Sequence, residues 1–189
     1  MGLIGELASL KHRISVDAYR RMGAADVFAP QARVELIEGE IVDMAPIGSR
    51  HAGTLKHLAR LLHDALGSRF VLSVQDPLVL GPDTELQPDL SVLRPRDDYY
   101  RSSHPTAADV LLLVEVSDSS MRYDRDVKIP LYARHGIPEV WLIDLEERRL
   151  HVHAQPHGDA YQSVAAFDRP GILRPEMLEG ASVDLAGLF

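Results

Sequence analysis

DVLLLVEVSDSSMRYDRDVKIPLYARHGIPEVWLID, residues 109–144, carries the pattern that sets the fold. DVLLLVEV is apolar at nearly every position, as a central strand covered on both faces must be. PEVWLIDL is a second short apolar run of the same kind. Between them, DRDVKIPLYARHG has helical character interrupted by Pro130, which lacks an N–H and would clash inside a helix. The spacing predicts a helix from near Asp126 to Gly136, with Lys128 in its first turn.

Upstream, SVDAYRRMG predicts a short helix with Ser15 as N-cap and Gly23 as its stop. RVELIEGEIVDMAP, residues 33–46, reads as a hairpin turning at Gly39, which can take a left-handed conformation at little cost. From Ser49 to about Leu66, Leu55, Leu58, Leu61, Leu62, Ala65 and Leu66 recur at helical spacing, and Gly67 stands at the C-cap. RFVLSVQ and PDLSVL follow as strands. Beyond Leu145, EERRLHVHA, AYQSVAAF and GILRPEML predict antiparallel strands that complete a mixed sheet. No repeat, linker or low-complexity tract interrupts the pattern.

The 189 residues, 46% hydrophobic, suit a single domain over residues 1–189, with residues 1–29 as an N-terminal helical extension. No run approaches a membrane span, and MGLIGELASLKHR has no basic region followed by a long apolar core, so a soluble, cytoplasmic chain is expected. With no cysteine, disulfides and thiolate metal sites are excluded, which leaves carboxylates, histidines, carbonyls and water as ligands for hard cations. The net charge of −8 argues against bulk electrostatic coating of nucleic acid. A local basic patch built from Arg50, Lys56, Arg60, Arg69, Arg94, Arg96 and Arg101 would answer that objection.

Asp89 follows Gln87 and Pro88 at the start of an extended run, and Glu115 lies where DVLLLVEV gives way to Ser117, Asp118, Ser119 and Ser120. Two carboxylates at strand boundaries can hold Mg²⁺ or Mn²⁺, which positions an anionic phosphodiester and activates water. A nearby lysine, Lys128, could orient or deprotonate that water, or act as a fixed cation. Taken singly, all three also read as ordinary polar residues of an α/β domain.

RVELIEGEIVDMAP, His51 on the long helix, QPDLSVL, VEVSDSS and YDRDVKIPLYARHGIPEVWLID follow one another in this order. The succession resembles a large bacterial family of restriction-type endonucleases, abundant in cyanobacteria, within the PD-(D/E)XK nuclease superfamily. The resemblance spans about residues 30 to 189 and is most specific from Glu115 through Asp144. It implies an α/β (α+β) fold with a restriction-endonuclease-like core, a mixed β-sheet flanked by helices. It implies that Pro88 and Asp89 are the PD pair and that Glu115, 26 residues later, is the second metal-binding acid. The superfamily lysine would stand at Ser117, and its role passes to Lys128. Glu35 and His51 match family positions as supporting ligands, as substrate contacts or as stabilisers of the fold. The function implied is a metal-dependent endonuclease acting on DNA, as a homodimer. The alternative is a non-catalytic nucleic-acid- or protein-binding module on the same fold.

Other residues read more plainly. His151 and His153 share a strand face with His157 nearby, and an exposed polar face outweighs a zinc site that lacks a fourth ligand. Trp141 reads as core, and Tyr132, four residues after Lys128, as packing against the sheet. Asp124 and Asp126 could join the metal site, but acids before a helix are favoured by capping and the helix dipole, and the cap is the preferred reading.

Overall fold

The computed structural model describes residues 11–189. The expectations that MGLIGELASLKHR lacks the pattern of a leader and that residues 1–29 form a helical extension lie partly outside these residues. Helix α1, Val16–Ala24, is capped by Ser15, whose Oγ accepts from the Ala18 N–H. Strands β1, Val34–Ile37, and β2, Glu40–Asp43, form the expected hairpin. Its turn puts Glu38 at φ 46° and Gly39 at φ 78°, the two positive values a type I′ hairpin needs. A Cβ on Gly39 would stand 2.6 Å from Arg13 Cβ, so only glycine fits.

Helix α2 spans Ser49–Leu66 and ends on Gly67 at φ 59°. Strands β3, Val71–Val74, β4, Leu78–Gly81, β5, Thr84–Leu86, and β6, Leu90–Leu93, follow. The sequence reading passed over β4 and β5, which are short and separated only by Pro82 and Asp83. They join the hairpin in a four-stranded sheet of order β2-β1-β5-β4.

The main sheet contains β7, Val110–Ser117, β8, Glu139–Asp144, β9, Arg149–His157, and β10, Ala160–Phe167, in the order β10-β9-β8-β7-β6-β3. It is mixed: β7 and β8 run parallel, and every other neighbouring pair is antiparallel. All residues of β7 are buried, as a central strand requires. Leu112, Val114 and Val116 pack with Leu55, Leu58 and Leu62 of α2. Leu113, on the other face, packs with Ile129, Leu131 and Tyr132 of the β7–β8 crossover. Glu115 shares Leu113's face by the two-residue period, which directs its carboxylate under that crossover.

The crossover differs from the expected single helix beginning near Asp126. It starts with α3, Met121–Tyr123, passes through a π-helical turn at Asp124–Lys128 and continues as α4, Ile129–Arg134. The Ile129 N–H reaches back five residues to the Asp124 carbonyl. Pro130 has no N–H to give, and its ring would crowd the carbonyl four residues back in a regular α-helix. The wider turn accommodates it without ending the helix. Lys128 therefore closes a π-turn rather than opening a helix.

GILRPEML also departs from expectation, because it does not extend the main sheet. Only β11, Ile172–Leu173, is extended, and it pairs with β12, Val183–Asp184, in a separate ribbon. This ribbon places Leu178, Val183 and Leu185 in the core beside α2. Trp141 is fully buried, and its Nε1 donates to Glu139 Oε1 at 2.6 Å.

His153 does not lie on an exposed face. It is 9% exposed, with its ring 5.7 Å from that of Tyr161 and 6.4 Å from that of His151. Burial, with the charge of His151 adding to it, pushes the His153 imidazole down to about 4. The folded chain thus binds fewer protons than the unfolded chain between that value and the ordinary 6.5. Unfolding free energy is expected to be fully retained above pH 6.5 and to fall as the pH drops towards 4. Urea titrations across this range should show a shallower slope for His153→Phe; an unchanged slope would contradict the assignment.

Candidate active site

Asp89, Glu115, Lys128 and Glu35 come together on one wall of a cleft of about 410 Å³. Pro88 carries the chain from the small sheet to the main one, and Asp89 arrives just before β6. Its side chain takes over from the strand ladder: Oδ2 accepts the Val116 N–H of β7 at 2.8 Å. The same oxygen accepts from His51 Nε2 at 2.9 Å, and Oδ1 accepts from the Gln75 amide at 3.0 Å. A carboxylate only accepts, so the His51 proton sits on Nε2. The hydrogen bond to Asp89 raises the His51 pKa against the opposing effect of burial. His51 Nδ1 is buried without a partner.

The ammonium of Lys128 lies 3.1 Å from Glu35 Oε1 and 3.3 Å from Glu115 Oε1. Glu35 Oε1 also accepts the Gln87 N–H at 2.8 Å, which fixes β1 to the chain leading into Asp89. Glu115 Oε1 accepts the Tyr132 hydroxyl at 2.5 Å, while Oε2 faces only the Asp89 N–H at 3.4 Å. Burial alone would lower the Lys128 pKa, but the charges of Glu115, Glu35 and Asp124 outweigh it and raise the value, so the side chain is a fixed ammonium. Burial pushes the Glu115 carboxyl up to about 8, with Lys128 opposing and Asp89 and Asp124 adding to the shift.

Tyr132 and Gln75 belong to the site although the sequence reading did not place them there. Tyr132 had a visible signal, since residues four apart share a helix face and Lys128 precedes it by four. Gln75 had none: it reaches Asp89 because its backbone is left-handed, at φ 54°. Asp124 is not a helix cap. It is buried, lines the cleft and accepts from Ser120 Oγ at 2.6 Å. Asp126 is an exposed partner of Arg125.

Part of the basic patch considered from the sequence is neutralised by acids. Arg50, Arg60 and Arg96 pair with Asp118, Asp64 and Asp98, and Arg69 donates to the Glu179 carbonyl.

The donor set suits a hydrated divalent cation. Four buried acids, Glu35, Asp89, Glu115 and Asp124, face one buried ammonium, and a divalent cation would take the place of the proton that burial favours on Glu115. Among the described residues no three His, Asp or Glu side chains form a ready-made cage. Asp89 and Glu115 are the residues that would hold such a cation, with water and substrate completing its shell, as Mg²⁺ prefers.

Removing the ammonium should expose how the cluster is balanced. Lys128→Met leaves Glu35 and Glu115 buried without a cation and is expected to cost about 3 to 5 kcal/mol of stability. Adding Glu115→Gln to that variant should recover a large part of the loss in denaturant titrations. Additive effects of the two changes would contradict the coupling.

The fold has a solved counterpart. A crystal structure of a "putative nuclease belonging to DUF820" from Anabaena variabilis ATCC 29413 superposes with a TM-score of 0.68. It is 19% identical and covers 93% of this chain and 97% of its own. No curated protein matches. Residues 16–186 match the Uma2 family, described as "putative restriction endonuclease". The match takes in α1, both sheets and every residue of the cleft, and the chain belongs to this family of restriction-type endonucleases.

Proposed function

We propose that the chain is a metal-dependent endonuclease that hydrolyses DNA phosphodiester bonds, with Asp89 and Glu115 holding Mg²⁺ or Mn²⁺ and Lys128 serving the attacking water. The observation that carries this reading is the convergence of Glu35, Asp89, Glu115 and Lys128, from four separate segments, on one cleft. A bound divalent cation would supply neutralisation of charge on the phosphate oxygens and a water acidic enough to attack at neutral pH.

The remaining roles belong to the chain. Val116 N–H, His51 and Gln75 hold Asp89 from three sides, so that its carboxylate needs little reorganisation when it takes up a cation. Tyr132 holds Glu115 from beneath, leaving Oε2 towards the cleft. Lys128 acts as a positioned cation rather than a base: its ammonium donates to two carboxylates and can donate a further hydrogen to the water or to a phosphate oxygen. As the water oxygen bonds to phosphorus, the bond to the leaving oxygen breaks; the water gives up a proton to solvent, and the leaving oxygen takes one up from solvent to end as a hydroxyl.

The reading carries with it a homodimer, the arrangement common among restriction-like enzymes. The net charge of −8 favours the second reading, a non-catalytic binding module on the same fold.

Cleavage of DNA in Mg²⁺ or Mn²⁺ separates the two. Asp89→Asn, Glu115→Gln and Lys128→Ala should each lower the rate on the order of 100-fold or more, and EDTA should abolish it. Variants that cut as well as wild type would exclude this site, and a wild type inactive on duplex, single-stranded and branched DNA would favour the binding module.

A further inference from the structure

Two cations line the cleft, Arg33 and Lys128, and only Lys128 is committed to carboxylates. Arg33 precedes β1 at the rim. Its only side-chain hydrogen bond among the described residues is a long one, 3.4 Å, from Nη1 to the Ala45 carbonyl, and it makes no ion pair there. Eight other arginines pair with acids, whereas Arg33 is unmatched among the described residues and stands at the edge of an acidic cleft, where it is placed to receive an anion.

Arg33 also forms part of a second hollow, of about 260 Å³. Arg33 and Gln87 line both spaces, so the two hollows adjoin at these side chains. The Gln87 N–H is bonded to Glu35, which ties this shared wall to the ion cluster. Tyr19 and Phe28 line the second hollow with rings 5.7 Å apart. The Tyr19 hydroxyl is occupied by the Val34 carbonyl at 2.8 Å, so the aromatic pair offers a ligand its rings rather than a polar group. An acidic reaction centre, an unmatched guanidinium and an aromatic hollow thus lie side by side and together make up a groove.

We propose that this groove is a subsite for an unpaired nucleotide: Arg33 grips the phosphate next to the one being cut, and the hollow lined by Phe28 receives the adjoining base. This rests on the reading of the cleft as a phosphodiesterase site. A base within a duplex is stacked and paired and must be flipped out at a cost, so a side hollow accepts a base most readily from a single strand, a flap or a frayed end. The substrate class is therefore DNA with an unpaired segment at the site of cleavage.

The test is steady-state cleavage of a fluorescent single-stranded oligonucleotide in Mn²⁺ over a series of salt concentrations, with duplex of the same sequence alongside. Arg33→Ala should raise KM about tenfold or more with a much smaller change in kcat, and should lower the log–log salt dependence of 1/KM by about 0.7. Arg33→Lys should restore that salt dependence but only part of KM, because an ammonium cannot grip phosphate in two places. Phe28→Ala should raise KM by about five- to a hundredfold, from lost stacking, with the salt dependence unchanged. Arg60→Ala, which removes one charge from the exposed face of α2, should change neither quantity. Melting temperatures equal to wild type would show that the variants are folded.

A wild type that cuts duplex but not single strands, or an active Arg33→Ala indistinguishable from Arg60→Ala, overturns the subsite and leaves the endonuclease reading standing. A wild type that cuts no DNA overturns both.

Discussion

The site depends on one buried ammonium. Lys128 sits between Glu35 and Glu115, two carboxylates that are themselves almost entirely buried. Removing three such charges from water is costly, and their mutual attraction repays the cost only when the geometry is good and the remaining oxygens are hydrogen-bonded. Those conditions reach outward: Gln87 N–H must lie against Glu35, and the Tyr132 hydroxyl against Glu115. The small sheet, the central strand and the crossover helix are therefore held in register by one cluster that spans all three.

The fold supplies what the cluster needs. β7 buries every residue, so a carboxylate on it at Glu115 can exist only with partners. The partners come from the crossover, whose π-turn at Asp124–Lys128 lets the helix continue past Pro130 while Lys128 and Tyr132 both reach Glu115. A left-handed residue, Gln75, completes the support of Asp89. Local irregularities of this kind gather where side chains must be aimed rather than merely packed.

How much of this was legible in the chain follows from the range of the forces involved. The hairpin at Gly39, α2 and strands β7 and β8 were readable because local periodicity and turn chemistry specify them. The Asp89, Glu115 and Lys128 assignment came from resemblance, since three polar residues in separate segments carry no local signal of proximity. Strands β4 and β5 were passed over because each is only three or four residues long and is stabilised by its neighbours in the sheet. Asp124 reads as a cap in the sequence because a capping acid and a cleft-lining acid look alike near a helix start, and only the tertiary fold distinguishes them. His153 was misread because a single strand pattern does not reveal that Tyr161 of the next strand covers it.

Membership of the Uma2 family and the shared fold of the Anabaena variabilis protein bring a nuclease architecture, while the chemistry rests on whether the acidic cluster takes up a divalent cation. The most direct measurement is calorimetric titration of Mn²⁺ into wild type and into Asp89→Asn, which needs neither substrate nor turnover. The account predicts saturable binding to wild type that is lost or greatly weakened in the variant. No binding to wild type, or equal binding to both proteins, would contradict it.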